Sequence, residues 1–294
     1  MNKIKKLLLL LVLLLPLSGC IKRDNMDSIN IKTTIYPIEY IANELYGYNS
    51  TISSIYPNDT KPENYSLTNK KVKEYAESDI FIYNGATDEK LIAAKFLEAN
   101  KHIKLIDATQ NKIKYNNDVQ ELWLYPSNYL MLAQNVKNTL IDYANSTILK
   151  QEIENNYEEL KLTISTFDAN LKMKAEKSSN KVIIVGNDVF KFLETYGFEV
   201  VSIEENDNYV STDYQKAKNL ITSKKNKYIY ILDTDEESEN VKKLKQAGAT
   251  VIKINTMETL TETERNNKND YKTLMNDFIE NIKKEAYGEW KTIY

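Results

Sequence analysis

Histidine and cysteine each occur once in the 294 residues, as His102 and Cys20. A lone cysteine excludes an internal disulfide, so the folded protein must be held by its core. One histidine and one cysteine also leave no basis for histidine-assisted nucleophilic catalysis. There is no Gly-x-Ser-x-Gly elbow and no glycine-rich loop to cradle phosphates. No residues select an enzyme. Glycine and proline are scarce, at 7 and 5 residues, which argues against long disordered tracts. Positive charge is in slight deficit, with a formal net charge of −3. Residues 1–19 hold three lysines and no acid, so their removal leaves a still more acidic protein. Such a protein is a poor partner for nucleic acid.

What is present begins at the N-terminus. Lys3, Lys5 and Lys6 form a basic region, and Leu7 to Leu15 is an apolar run too short to span a bilayer. Leu17-Ser18-Gly19-Cys20 closes it as a lipobox. This pattern is that of a bacterial lipoprotein signal over 1–19, cut before Cys20. Cys20 would then carry the lipid, and two or more acyl chains would anchor the protein to the outer face of the cytoplasmic membrane. An ordinary secretory signal with an incidental cysteine is the alternative. Residues 20–30 read as a polar tether.

From Ile31 the chain alternates between strands and helices. Strands are expected at 31–36, 50–56, 79–85 and 102–107, with helices from Pro37, over 69–77 and over 88–99. Residues 121–144 carry a helix pattern with Pro126 near its start. Residues 147–177 hold no glycine or proline, and Ile153, Tyr157, Leu160, Ile164, Phe167 and Leu171 recur at three or four. That predicts one helix of roughly 30 residues, about 45 Å long. Strand–helix units then resume, with strands at 181–187, 198–204, 227–233 and 250–255, and helices at 188–196, 212–224, 237–247 and 270–286. The expected fold class is α/β: two lobes of parallel sheet flanked by helices, joined by the long helix, with a ligand cleft between the lobes. The expected divisions are an N-terminal lobe at 31–146, a linking helix at 147–177 and a C-terminal lobe at 178–294.

Five segments, in order, resemble one family. They are TTIYPIEYIANELYG, KPENYSLTNKKVKEYAESDIFIYNG, ELWLYPSNYLMLAQNVKNTL, NDVFKFLETYGFEV and INTMETLTE followed by NDYKTLMNDFIENIKK. Together with the lipobox and the long helix they are similar to the solute-binding lipoproteins of bacterial zinc and manganese ABC transporters, closest to the zinc branch. Some members are described as adhesins. The resemblance covers roughly residues 31–287. It implies a bound divalent metal, zinc or manganese, in the interlobe cleft. It also implies an ABC permease as partner and a lipid bilayer reached through Cys20.

The family holds its metal with three histidines and one acidic residue. Carried across by position, the histidines fall on Glu63, Glu121 and Asn187, and the acid falls on Glu258. All three histidines are therefore replaced. Such a set offers oxygen only, which suits manganese, magnesium or calcium better than zinc. Three carboxylates in one cleft would repel without a cation, and one should hold a proton. Against this stand plainer readings. Glu63 and Glu121 read more readily as solvated loop acids, and Asn187 as a helix cap before Asp188. Asp233, in the acidic run 233–238, reads as a helix-start acid, and Trp123 as core. His102 opens a strand away from these positions. The competing function is a surface interaction or adhesion lipoprotein with a vestigial cleft.

Overall fold

The computed structural model of the protein describes residues 26–110, 121–206 and 211–286. Cys20, the signal and most of the tether lie outside these residues. Among the described residues, eight strands form two parallel four-stranded sheets. The first holds β1 (Ile29–Thr33), β2 (Ser50–Ser54), β3 (Ile80–Tyr83) and β4 (Lys104–Asp107), in the order β2-β1-β3-β4. The second holds β5 (Val182–Val185), β6 (Glu199–Ser202), β7 (Tyr228–Leu232) and β8 (Thr250–Ile254), in the order β6-β5-β7-β8. Three of the four central strands, β3, β5 and β7, are short apolar runs (IFIY, VIIV, YIYIL) buried along most of their length. The edge strand β2 reads STISS, with no fully buried residue. In each sheet the chain reverses its winding beside the first strand. That leaves a crevice at the carboxyl ends, between β1 and β3 and between β5 and β7.

The helices are α1 (Tyr36–Tyr46), α2 (Asn69–Ala76), α3 (Glu89–Ala99), α4 (Pro126–Tyr143), α5 (Thr147–Lys177), α6 (Ser211–Thr222), α7 (Glu239–Gln246), α8 (Glu262–Asn266) and α9 (Tyr271–Ala286). Pro37 and Pro126 sit in first turns, where a missing N–H is harmless. One feature refines the sequence expectation and two differ from it. The helix expected at 188–196 is present in 3₁₀ form, ended by Gly197 at φ 96°. Its buried residues pair at i and i+3 (Val189 with Phe192, Phe190 with Leu193), which a threefold helix aligns on one edge. The short helix α8 was not expected; its signal is a capping box between Thr261 and Glu264. The tether also ends earlier than residue 30. Met26 is fully buried, its carbonyl accepts from the Tyr46 hydroxyl at 2.6 Å, and β1 begins at Ile29.

Helix α5 runs unbroken for 31 residues from its Ser146 cap. Leu149, Ile153, Tyr157, Leu160, Ile164, Phe167, Leu171 and Ala175 form its buried face. That face packs on α1 and α4 near its start and on α9 and the 3₁₀ helix further along. The result is one apolar core that includes Ile31 and Ile82 of the first sheet and Tyr230 and Ile254 of the second. A smaller cluster around Ile184, Ile229 and Leu244 fills the other face of the second sheet. Pulling the sheets apart would expose this shared surface, at about 25 cal/mol for each Å² of apolar area. Leu160, 1% exposed near the middle of α5, tests the arrangement. Leu160→Ala is expected to destabilise the protein by about 2–5 kcal/mol. Urea unfolding followed by tryptophan fluorescence and far-UV dichroism should remain one coincident transition. Two separate transitions would contradict a shared core.

Candidate functional site

Each of the four candidate positions lies beyond the carboxyl end of a strand or at the start of a segment leading into the space between the sheets. Glu63 is exposed in the 3₁₀ turn Pro62–Asn64, between β2 and α2. Glu121 is half-buried and precedes the 3₁₀ turn Leu122–Leu124, whose three residues are all buried. Asn187 follows β5. Its side-chain oxygen accepts from the Val189 amide at 2.9 Å, so the residue caps the 3₁₀ helix. Its side-chain nitrogen donates to Asp235 at 3.2 Å. Glu258 follows β8, directly after Met257, which is buried at φ 61°. A left-handed methionine is strained, and the Asn255 side chain holds it by accepting from its amide at 2.7 Å.

Electrostatics tie these positions together. Burial pushes the Glu121 carboxyl up to about 7, and the charges of Asp235, Glu204 and Glu63 add to the rise. Burial likewise pushes Glu258 up to about 7, assisted by Glu121, Glu63, Asp233 and Glu89. Glu63, Glu121 and Glu258 therefore share one field across the cleft, and Asn187 joins it through Asp235. The acids are spread out rather than gathered into a shell. Among the described residues, no three histidine, cysteine, aspartate or glutamate side chains stand close enough to hold a metal ion. His102 is exposed in the turn before β4, at the opposite end of the sheet from these loops.

Sequence reasoning missed part of the cleft. Glu89, at the first position of α3, is buried and its carboxyl is pushed up to about 7, mainly by burial. It accepts from the Asn84 amide at 2.7 Å and from the Tyr56 hydroxyl at 3.4 Å. An acid in a first helical turn reads as an ordinary dipole partner, so nothing in the pattern marks it as buried. Asp235 and Glu204 are also raised, with burial as the leading cause. Asp233 has a structural tie, accepting from the Thr256 amide at 3.0 Å. Trp123 is 1% exposed, and its indole donates to the Thr256 carbonyl at 2.6 Å.

One wall of the cleft is stitched shut. The Glu258 carbonyl accepts from the Tyr36 amide at 2.7 Å, and the Leu260 carbonyl from the Asp59 amide at 3.1 Å. Thr259 donates its hydroxyl to the Thr60 carbonyl at 3.0 Å. Arg265 forks onto the two oxygens of Glu39 at 2.9 and 2.7 Å and reaches Asn58 at 2.6 Å. Glu39 is buried and Arg265 partly so, and a bidentate pair fixes geometry as well as charge. The loop bearing Glu63 and the loop bearing Glu258 are therefore held as one unit.

Comparisons with known proteins agree with this architecture. The family model described as ZnuA, zinc-uptake complex component A, periplasmic, matches residues 31–285. The zinc-binding lipoprotein AdcA of Streptococcus pneumoniae is 23% identical over 321 residues, covering 98% of this chain and 62% of AdcA. The high-affinity zinc uptake system protein ZnuA of Bacillus subtilis is 20% identical over 286 residues, covering 87% of each chain. Among solved structures, the Zn(II)-bound ZnuA-like domain of S. pneumoniae AdcA superposes with a TM-score of 0.70 at 20% identity, covering 88% of this chain and 99% of that one. The metal-dependent lipoprotein YcdH of B. subtilis gives a TM-score of 0.72 at 19% identity, with the same coverage. The structural likenesses carry the fold.

Glu89 generates a test of the cleft's electrostatics. A carboxyl raised in the folded state binds its proton more tightly there than in the unfolded chain. Its favourable contribution is present at low pH, declines as pH rises from the usual carboxylate range, and is gone above about 7. Glu89→Gln keeps an acceptor for the Asn84 amide and removes the charge. The variant is expected to be more stable than the parent at about pH 8 and to lose that advantage near pH 5, by about 1.4 kcal/mol for each unit of displacement. Urea midpoints at the two pH values measure it. Equal pH dependence in both proteins would refute the assignment.

Proposed function

The chain belongs to the ZnuA family of zinc-uptake components, and from that premise we propose that it is the extracytoplasmic solute-binding lipoprotein of a metal-type ABC importer. The family is one of binding components, not enzymes. In this reading the protein holds a divalent cation as cargo between the sheets, with Glu63, Glu121, Asn187 and Glu258 as donors, and delivers it to a membrane permease. The supporting observation is the shared field of Glu63, Glu121 and Glu258. Two partly buried carboxyls are pushed up to about 7, first by burial and then by neighbouring acids, with Glu63 acting on both. A dication is the species that relieves such a field.

The donor set bears on which cation. The relatives are named for zinc, which favours nitrogen and sulfur ligands. Carboxylate and amide oxygens favour harder ions, so manganese gains on zinc relative to a histidine-built site. Asn187 can contribute only the lone pair that capping leaves free. Because the acids stand apart, the cation must draw them inward, with exposed Glu63 the side chain freest to move. Nothing in the family match favours the adhesion reading over transport.

Calorimetry on chelator-stripped protein tests the cargo. Manganese chloride should bind at about pH 8, and its affinity should fall by roughly tenfold or more at about pH 6, because Glu121 and Glu258 must give up protons to bind it. Glu258→Gln should weaken binding at the higher pH. Failure of both manganese and zinc to bind the parent protein would end this reading.

The anchor is a separate claim, resting on the lipobox Leu17–Cys20 and on the naming of the pneumococcal relative as a lipoprotein. Cys20→Ala should move the protein from the membrane fraction to the soluble fraction. A signal-cleaved variant that still sediments with membranes in high salt would count against lipidation.

A further inference from the structure

Lys61 immediately precedes Pro62-Glu63, and its exposed side chain crosses from the first sheet's side of the cleft to the second's. Its ammonium donates to the Thr234 carbonyl at 3.0 Å, two residues beyond the end of β7. Asp235 is the next residue. Burial raises its carboxyl, and the Lys61 charge pulls it back. Other cations in this region are committed elsewhere: Arg265 to Glu39 through two hydrogen bonds, and Lys191 to Asp188 at 2.7 Å.

Building on the cargo reading above, we propose that Lys61 is the cleft's own counter-ion and sets its affinity for cations. With no cargo, its ammonium offsets part of the acidic field and straps the Glu63 loop to the Thr234 turn. An incoming dication enters the same field, and the ammonium must swing out to make room. The residue type suits this role. Lysine carries a compact charge on a flexible four-carbon stem, whereas an arginine fork would be held by its planar geometry. A single hydrogen bond to a carbonyl, made by an exposed side chain, is easily exchanged for water. The Glu63 loop is otherwise anchored by its stitches to residues 259–265, so release of Lys61 frees the cleft mouth without undoing the fold. Lys61 would therefore lower affinity for every cation and favour dications, whose attraction to the acids exceeds that of the ammonium they replace.

The test uses the full chain, stripped with chelator, as the parent, Lys61→Met and Lys61→Arg. Lys61→Met keeps the stem and removes the charge. It is expected to bind manganese roughly tenfold more tightly than the parent, since the repulsion between ammonium and dication is gone. Without metal it should melt at lower temperature, with the deficit shrinking as sodium chloride screens the uncompensated acids. Lys61→Arg keeps the charge and should melt like the parent. If Lys61→Met matches the parent in manganese affinity and in salt-dependent melting, Lys61 is an idle surface lysine and the proposal is overturned. Weaker binding by Lys61→Met would also overturn it, since the residue would then assist the cargo. If neither protein takes up manganese or zinc, the cargo reading falls. A salt-sensitive loss of melting temperature in Lys61→Met would still uphold the counter-ion, and its absence would remove both.

Discussion

The apolar face of the helix Thr147–Lys177 sets the distance between the two sheets, and the other features of the cleft depend on that spacing. Its buried residues, from Leu149 to Ala175, contribute to a core shared by both sheets. A protein joined by flexible strands could open and close freely. Here, separation would expose part of the main core to water. The stitched wall adds a second constraint, since the Arg265–Glu39 fork and the Tyr36–Glu258 contact join the sheets' loops directly. The cleft is thus a fixed space, and adjustment within it falls to side chains such as Glu63 and Lys61.

That fixed space is lined by acids and, among the described residues, by no histidine. A neutral imidazole can wait in a cleft without repelling its neighbours, whereas a carboxylate cannot. The protein answers this in three ways: burial keeps carboxyls such as Glu121, Glu258 and Glu89 protonated to higher pH, the acids stand apart, and a lysine reaches in. The first acts through desolvation, and the other two reduce Coulomb repulsion between the acids. The same repulsion would drive uptake of a cation and make that uptake sensitive to acid.

Much of the architecture was legible in the sequence because it is written in local periodicity. The runs IFIY, VIIV and YIYIL mark three of the central strands, and the three-four spacing in 147–177 marks the helix. Shorter features were harder. The helix at 188–196 was expected, but not its 3₁₀ form, because an i, i+3 pattern over nine residues serves both helix types. The helix Glu262–Asn266 is too short to show a repeat, although its capping box was readable. Met26 lay in a stretch read as tether because its partners, Tyr46 and Lys104, are remote in sequence.

The sequence alone determined the parallel two-sheet class and the long helix, since composition and short-range pattern are sufficient for each; the four oxygen-bearing positions came from the family resemblance. For Asn187 the sequence favoured a helix cap over a ligand, and the structure gives that residue the capping bond as well as a bond to Asp235. Only the tertiary structure decided which acids are buried, which of them share a field, and that Lys61 meets a carbonyl 173 residues away. Burial and charge coupling are set by distance in space, and residues as remote in sequence as Glu63 and Glu258 approach only when both sheets and the helix between them are in place.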